Sequence, residues 1–312
     1  MWAAARRRTI TSEVIECCPG TAHNAAMISS SPASSARADL SQNGFGTLLR
    51  QWRLLRSLSQ LELALRTDIS QRHLSFLESG RSRPSRDMVL ALGNVLDIPL
   101  RERNSLLAAA GFAPVYDQRP LLEPDMVPVL QALQLTLAHH EPYPAIVADQ
   151  AWNLLMENRA AQALYGLLGD PEDFWRRTCG DGPRNVMRAL FHPQGMRPYV
   201  LNWEQVGRNL LNRLRHEAAL QAPDSSLRRL LHDILQFPGT PPQWRIADGQ
   251  LLVEPVLCIE LGLGDIRIRL FSMIAHFGTP QDVTVDELVL ETFFPADAAT
   301  EALLRQLANV PS

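Results

Sequence analysis

Between Ser59 and Gly80 the chain leaves room for two short helices and the tight turn that joins them. Ser59-Gln60-Leu61-Glu62 is a capping box. In that motif the serine hydroxyl accepts an orphan backbone N–H while the glutamate reaches back to the N–H of the cap itself. The helix so opened runs to about Arg66. Thr67-Asp68-Ile69 then turns the chain, and Ser70 caps a second helix over residues 71–79. Ile69 before the cap and Leu74 after it form a hydrophobic staple, which fixes the angle at which the chain comes in. Gly80 suits the left-handed position that stops a helix.

The flanks extend this pair into a bundle. Over residues 46–56, Leu48, Leu49, Trp52 and Leu55 fall on one helical face, with Arg50, Arg53 and Arg56 elsewhere. After the basic loop Arg81-Ser82-Arg83-Pro84, Ser85 caps a fourth helix with Asp87 in its favourable first turn, and Pro99 opens a fifth. Residues 44–112 therefore predict an all-α five-helix bundle. Two short helices joined by a turn of about three residues are the geometry of a helix-turn-helix, whose second helix enters the major groove.

Charge supports that reading only when it is split along the chain. All 30 basic residues are arginine, and 33 acids leave a net charge of −3, which taken whole argues against nucleic acid. Residues 1–43 carry 4 arginines against 3 acids and residues 44–110 carry 10 against 6, while residues 111–312 carry 16 against 24. A small basic block joined to a larger acidic one implies two modules with different partners.

In the basic block the second helix of the pair carries the chemistry. Its capped N-terminus at Ser70 offers amides that suit a phosphate. Gln71 and Arg72 follow at once; Gln reads adenine and Arg reads guanine through paired hydrogen bonds, each worth about 1–3 kcal/mol of discrimination. Arg81, Arg83 and Arg86 stand where backbone phosphates would be clamped. The run LSQLELALRTDISQRHLSFLESGRSRPS resembles the phage-repressor-like (XRE) helix-turn-helix family over residues 44–110. The resemblance implies that Gln60 contacts phosphate or buttresses the reading glutamine. It also implies that Gln71 and Arg72 read bases with Ser75 and Phe76 one turn later, and that Arg53 and Glu78 pair. Asp68 stands where the family usually has glycine, and aspartate tolerates the left-handed conformation better than most residues. The expected partner is a double-stranded DNA operator. Such domains read two half-sites about 34 Å apart, so a homodimer is expected.

The remainder reads differently. Residues 1–43, with SSSPASS at 29–35, have no sustained periodicity and read as a disordered tail. Residues 113–124 are proline-rich and read as a linker. Residues 125–312 show strand-like runs at 143–148 and 152–156, then a helix capped by Asn158 and helices over 203–219 and 225–236. Strand-like runs follow at 251–260, 266–274 and 288–294, with a last helix over 298–307. Two strands, a helical middle and three antiparallel strands predict a PAS-like α+β domain, so the whole chain is α+β and multidomain.

No HExxH, GxSxG or Walker sequence is present, and Gly262-Leu263-Gly264 is too short for a dinucleotide loop. His139 and His140 are adjacent and point apart on a helix, and His276 and Cys258 read as core or edge residues. Neither an enzyme nor a metal site is expected. Cys17, Cys18, Cys179 and Cys258 lack paired ligand spacing, and no apolar run approaches the ~18 residues of a membrane span. The expected compartment is the cytoplasm, with no membrane partner.

Two further stretches, DQAWNLLMENRAAQALYG and HPQGMRPYVLNWEQVGRNLLNRLRHEA, resemble the MmyB-like ligand-binding domain that follows a helix-turn-helix in bacterial regulators. That resemblance implies a PAS-fold sensor with no resident cofactor, holding a small apolar ligand such as a fatty acid. The motif Arg197-Pro198-Tyr199…Asn202-Trp203 is the more specific part. Trp152, Arg197, Tyr199 and Trp203 are accordingly the candidate ligand residues, with the planar fork of Arg197 suited to a carboxylate. The combined expectation is a sequence-specific transcription regulator. The alternative is a DNA-bound scaffold whose C-terminal domain only docks a protein partner or dimerises.

Overall fold

The capping box forms in the computed structural model, which describes residues 37–221, 225–245 and 256–308. Ser59 Oγ accepts the Glu62 N–H at 3.1 Å, and Glu62 Oε2 accepts the Ser59 N–H at 2.7 Å. Five helices make the bundle: α1 (Arg37–Leu55), α2 (Gln60–Arg66), α3 (Gln71–Glu78), α4 (Arg86–Val95) and α5 (Leu100–Ala109). Asp68 turns the chain at φ 54°, and the Ser70 hydroxyl accepts the His73 N–H at 3.1 Å to open α3. At the far end Gly80 takes φ 72°. Its N–H bonds Leu77 O and the Arg81 N–H bonds Phe76 O at 2.8 Å, closing the last carbonyls of the helix.

Leu49, Trp52, Leu63, Leu74, Leu77, Leu92, Leu106 and Leu107 are buried together. Burial of each such side chain contributes about 1.5–3 kcal/mol. Two departures from the sequence pattern occur in α1. The helix begins at Arg37, inside the segment read as a tail; residues 1–36 lie outside the described residues. Leu55 is 44 % exposed whereas Arg53 is buried, because the inner face of α1 is turned toward α3, where Arg53 meets Glu78. Gly46 is what allows that approach: a Cβ there would lie 2.5 Å from the backbone oxygen of Glu78.

The second domain opens with α6 (Val127–His139), β1 (Ala145–Ala148) and β2 (Leu154–Glu157). Its helical middle comprises α7 (Arg159–Gly166), α8 (Pro171–Cys179), α9 (Val186–Phe191), α10 (Trp203–Ala219) and α11 (Ser226–Gln236). Then come β3 (Ile259–Leu263), β4 (Ile266–Ala275), the short α12 (Val283–Asp286), β5 (Val289–Pro295) and α13 (Ala298–Ala308). The strands form one antiparallel sheet of order β2-β1-β5-β4-β3, so the domain is α+β as expected. The run at 251–260 contributes only its end to β3, its first half lying outside the described residues.

β1 is AIVA and buried throughout, which requires cover on both faces of the sheet. Ala145 and Val147 pack with Leu133 and Leu137 of α6. On the other face Ile146 packs with α7 and α8, and Ala148 joins the large core of α7, α9, α10 and α11. The strand's period of two thus separates a thin helical layer from a thick one, and the thick side contains the cavity described below.

Candidate DNA-binding face and ligand cavity

On the bundle, Ser70, Gln71 and Arg72 are exposed at the N-terminal end of α3, with Ser75 and Phe76 half-buried one turn on. The Arg72 guanidinium lies 5.4 Å from the centre of the Phe76 ring, which holds the side chain along the helix surface. Arg81, Arg83 and Arg86 are exposed around the loop that leads into α4. Gln60 is placed differently from the rest. Its Nε2 donates to Glu78 Oε2 at 2.8 Å, so its amide braces α2 against α3.

Glu78 is the hub of that brace. It accepts Arg53 Nε at 2.6 Å and Nη2 at 2.9 Å, while Arg53 Nη1 donates to Leu58 O at 2.8 Å. The two charged side chains are only 8 % and 4 % exposed. Burial pushes the Glu78 carboxyl up, and the hydrogen bonds from Arg53 and Gln60 with the Arg53 charge outweigh it, leaving it below the ordinary carboxylate range. The Glu78 hydrogen bond raises the Arg53 guanidinium in turn. The pair predicted to tie α1 to α3 therefore does so through a paired fork, the stronger form of such a contact.

In the second domain a cavity of about 400 Å³ lies between the sheet and α7, α9 and α10. Ile146, Leu164, Val186, Leu190, Leu261 and Phe293 form much of its wall. The size and apolar lining are those of a small-ligand site. Its polar groups are few: Tyr165, Asn209, Arg213, Ser272 and Glu291. Arg213 Nε donates to Glu217 Oε1 at 3.0 Å and the guanidinium lies 4.3 Å from the centre of the Trp152 ring. Arg213 Nη2 is buried with no hydrogen-bond partner among the described residues. Glu291 accepts the Ser272 hydroxyl at 2.7 Å. Burial pushes its carboxyl up, and Ser272 and the charge of Arg213 offset this only in part. Glu291 thus favours the neutral acid, which can donate a hydrogen bond as well as accept one.

The four candidate ligand residues named from the sequence lie elsewhere. Trp152 is 1 % exposed at φ 64° and gives its indole N–H to Glu217 Oε2 at 3.1 Å, supporting Arg213 from behind. Arg197 donates Nη1 to Pro238 O at 2.7 Å and Nη2 to Gly239 O, stacked on Trp203 at 5.3 Å. Its fork is therefore engaged by a turn that needs glycine: Gly239 has φ 75°, and a Cβ there would sit 2.8 Å from Arg197 Nη2. Trp203 packs on Phe191 and Trp244, and Tyr199 is half-buried against the α8 cluster. None of the four is among the residues that line the cavity. Sequence reasoning missed Arg213 and Glu291, although a signal existed for the second. Val289, Glu291 and Phe293 alternate on one face of β5, so a carboxylate occupies an inward position of an otherwise apolar strand.

Among curated proteins nothing matches this chain. A solved structure described as "Structure of an RNA-binding Light-Oxygen-Voltage Receptor" shares 13% identity over 89% of this chain and 68% of that one. Its TM-score of 0.24 is too low to support any argument. The family comparison is decisive. The helix-turn-helix model matches residues 49–103, and the model of the MmyB-like transcription regulator ligand binding domain matches residues 129–307, more than half of the chain. With a helix-turn-helix bundle at one end and a ligand-binding domain enclosing a cavity at the other, the chain belongs to the MmyB-like transcription regulators.

Proposed function

We propose that the chain is a cytoplasmic, sequence-specific transcription regulator that senses a small, largely apolar ligand with a polar head, of the fatty-acid type. The observation that carries the reading is the apolar cavity beside the unpaired Nη2 of Arg213. An apolar body gains by leaving water for such walls. A head bearing a carboxylate or carbonyl meets a donor in Arg213, beside Glu291, whose burial pushes its carboxyl toward the neutral form. Ligand is bound and released without chemistry. A space of this size favours sensing over the docking-only alternative, which calls for a filled core.

On the DNA side, Gln71, Arg72 and Ser75 read base edges while Ser70, Arg81, Arg83 and Arg86 hold phosphates, with a homodimer placing two α3 helices on two half-sites. Gln60 serves this face indirectly, by fixing α2 against α3 through Glu78. The test has two arms. Native mass spectrometry of the purified chain should show a co-purified small molecule, and added dodecanoate should raise the melting temperature, with Arg213→Ala abolishing the rise. A chain that carries nothing and melts unchanged with lipids of any head group would overturn the ligand half. Selection from a random duplex library should recover one operator with paired half-sites; recovery of no consensus would overturn the DNA half.

A further inference from the structure

A short segment of the ligand domain, the β4–β5 connection that contains α12, grips the DNA-binding bundle by hydrogen bonds. Asp286 Oδ2 accepts the Leu100 N–H at 2.9 Å. Leu100 is the first residue of α5, and the cap residue Pro99 has no side-chain acceptor to offer, so a carboxylate from the other domain supplies the missing cap. The next residue, Glu287, takes both arms of the Arg101 fork, with Nη2 to Oε2 at 2.8 Å. At the other end of α12, Asp282 accepts the backbone N–H of Arg119 and its guanidinium at 3.3 Å each, and Val283 donates its N–H to Asp117 O at 2.8 Å. The linker so held is fastened to the bundle as well: Asn104 of α5 accepts the N–H of Val115 at 3.0 Å and of Tyr116 at 3.1 Å.

The boundary between the domains also contains a cleft of about 510 Å³, lined by Arg56 and Leu100 on one side, by Trp152 and Glu217 on the other, and by Asp286 and Glu287 of the clamp. Leu220, at the end of α10, packs on the apolar core of the bundle, whereas the polar contacts given above gather at one point, α12. That point is continuous with the ligand cavity. Ile274 and Glu291 face each other across β4 and β5, and both line the cavity; Ile274 lines the cleft as well. One rung further, Ala275 pairs with Leu290, and there the strands end and the α12 connection begins.

We propose that α12 is the transmission element between cavity and DNA. An occupant that displaces the Ile274–Glu291 rung shifts α12, and the Asp286 cap with the Glu287–Arg101 pair carries α5 with it. α5 packs on α1 and α4, so the bundle follows as a body and α3 is re-aimed relative to the ligand domain. The inference rests on the ligand reading above and requires the occupant to favour one of the two arrangements.

Cavity-filling variants test it without any free ligand. Leu164→Trp fills the space from α7 and Val186→Phe from α9, each made in the full chain with the native clamp and with Asp286→Ala/Glu287→Gln. Operator Kd is read by fluorescence anisotropy on variants that keep a cooperative melt. With the native clamp, filling should change Kd by about fivefold or more, the lower end of ordinary allosteric coupling. Without the clamp the change should fall below about twofold, the scatter of independent sites. The swap Arg101→Glu/Glu287→Arg should restore part of the response. Equal changes with and without the clamp, or no change in either folded filled variant, would overturn the proposal. Dodecanoate melts run in parallel report the ligand site alone, so a failure there counts against the ligand reading and leaves the clamp to be decided by Kd.

Discussion

Glu78 and Glu291 are two buried carboxyls whose surroundings push them in opposite directions, and each gives a different dependence on pH. Glu78 is held below its ordinary range, so its contribution is present above the unfolded value and is lost as pH falls through the folded one. Removing it leaves Arg53 buried without its partner. Glu78→Ala should cost the bundle about 3–5 kcal/mol, the usual penalty for breaking such a pair, measured by urea denaturation at neutral pH. Glu291 has the reverse sign. Its folded value is raised, so its contribution is complete below the unfolded value and is lost as pH rises through the folded one. Glu291→Gln keeps the shape and removes the titration. The variant's ligand domain should melt higher than wild type near about pH 9, with the gap closing near about pH 5, and a constant gap across that range would show that Glu291 does not titrate there. Of these two residues the sequence exposed only the first, because Glu78 sits inside a dense local motif. Glu291 is recognisable only by the strand face it shares, and Arg213 only once α10 is laid against the sheet.

At the scale of elements, what could be read in advance was whatever is decided within a few residues of chain. Caps at Ser59, Ser70, Ser85 and Asn158 all form as side-chain hydrogen bonds to the first turn of their helices. Ser59→Ala removes one half of a reciprocal pair and should cost about 0.5–2 kcal/mol, seen as a lower urea midpoint with unchanged slope. An unaltered midpoint would mean that tertiary packing alone holds α2. What escaped was set by distant partners. Leu55 lies on the expected apolar stripe yet is exposed, because Arg53 and the close approach at Gly46 turn α1 about its axis. The proline-rich stretch 113–124 has the composition of a loose linker, yet Asn104 and Asp282 fasten its backbone from opposite sides. The cap of α5 comes from residue 286, a partner that no inspection of the sequence around Pro99 could suggest. The partners of Arg197 are distant in the same way, since the carbonyls at 238 and 239 belong to another segment.

For the whole molecule, a net charge of −3 describes neither domain. The acids that outnumber arginine beyond residue 110 belong to the ligand domain, whereas the exposed Arg72, Arg81, Arg83 and Arg86 belong to the bundle. The roles proposed for those four differ. Arg72 stands on α3 and rests on Phe76, while Arg83 stands in the loop before α4. A base-reading arginine contributes to the difference between sequences, and a phosphate-holding one contributes equally to all of them. Arg72→Ala should weaken the cognate operator by about 1–3 kcal/mol and relax preference at one base pair of each half-site. Arg83→Ala should weaken cognate and unrelated duplexes by the same factor and lower the salt slope of log K by about 1 per site. Anisotropy titrations of both variants on both duplexes, at several salt concentrations, separate the roles. If Arg72→Ala lowers all duplexes alike and changes only the salt slope, α3 holds the backbone and some other element reads the sequence.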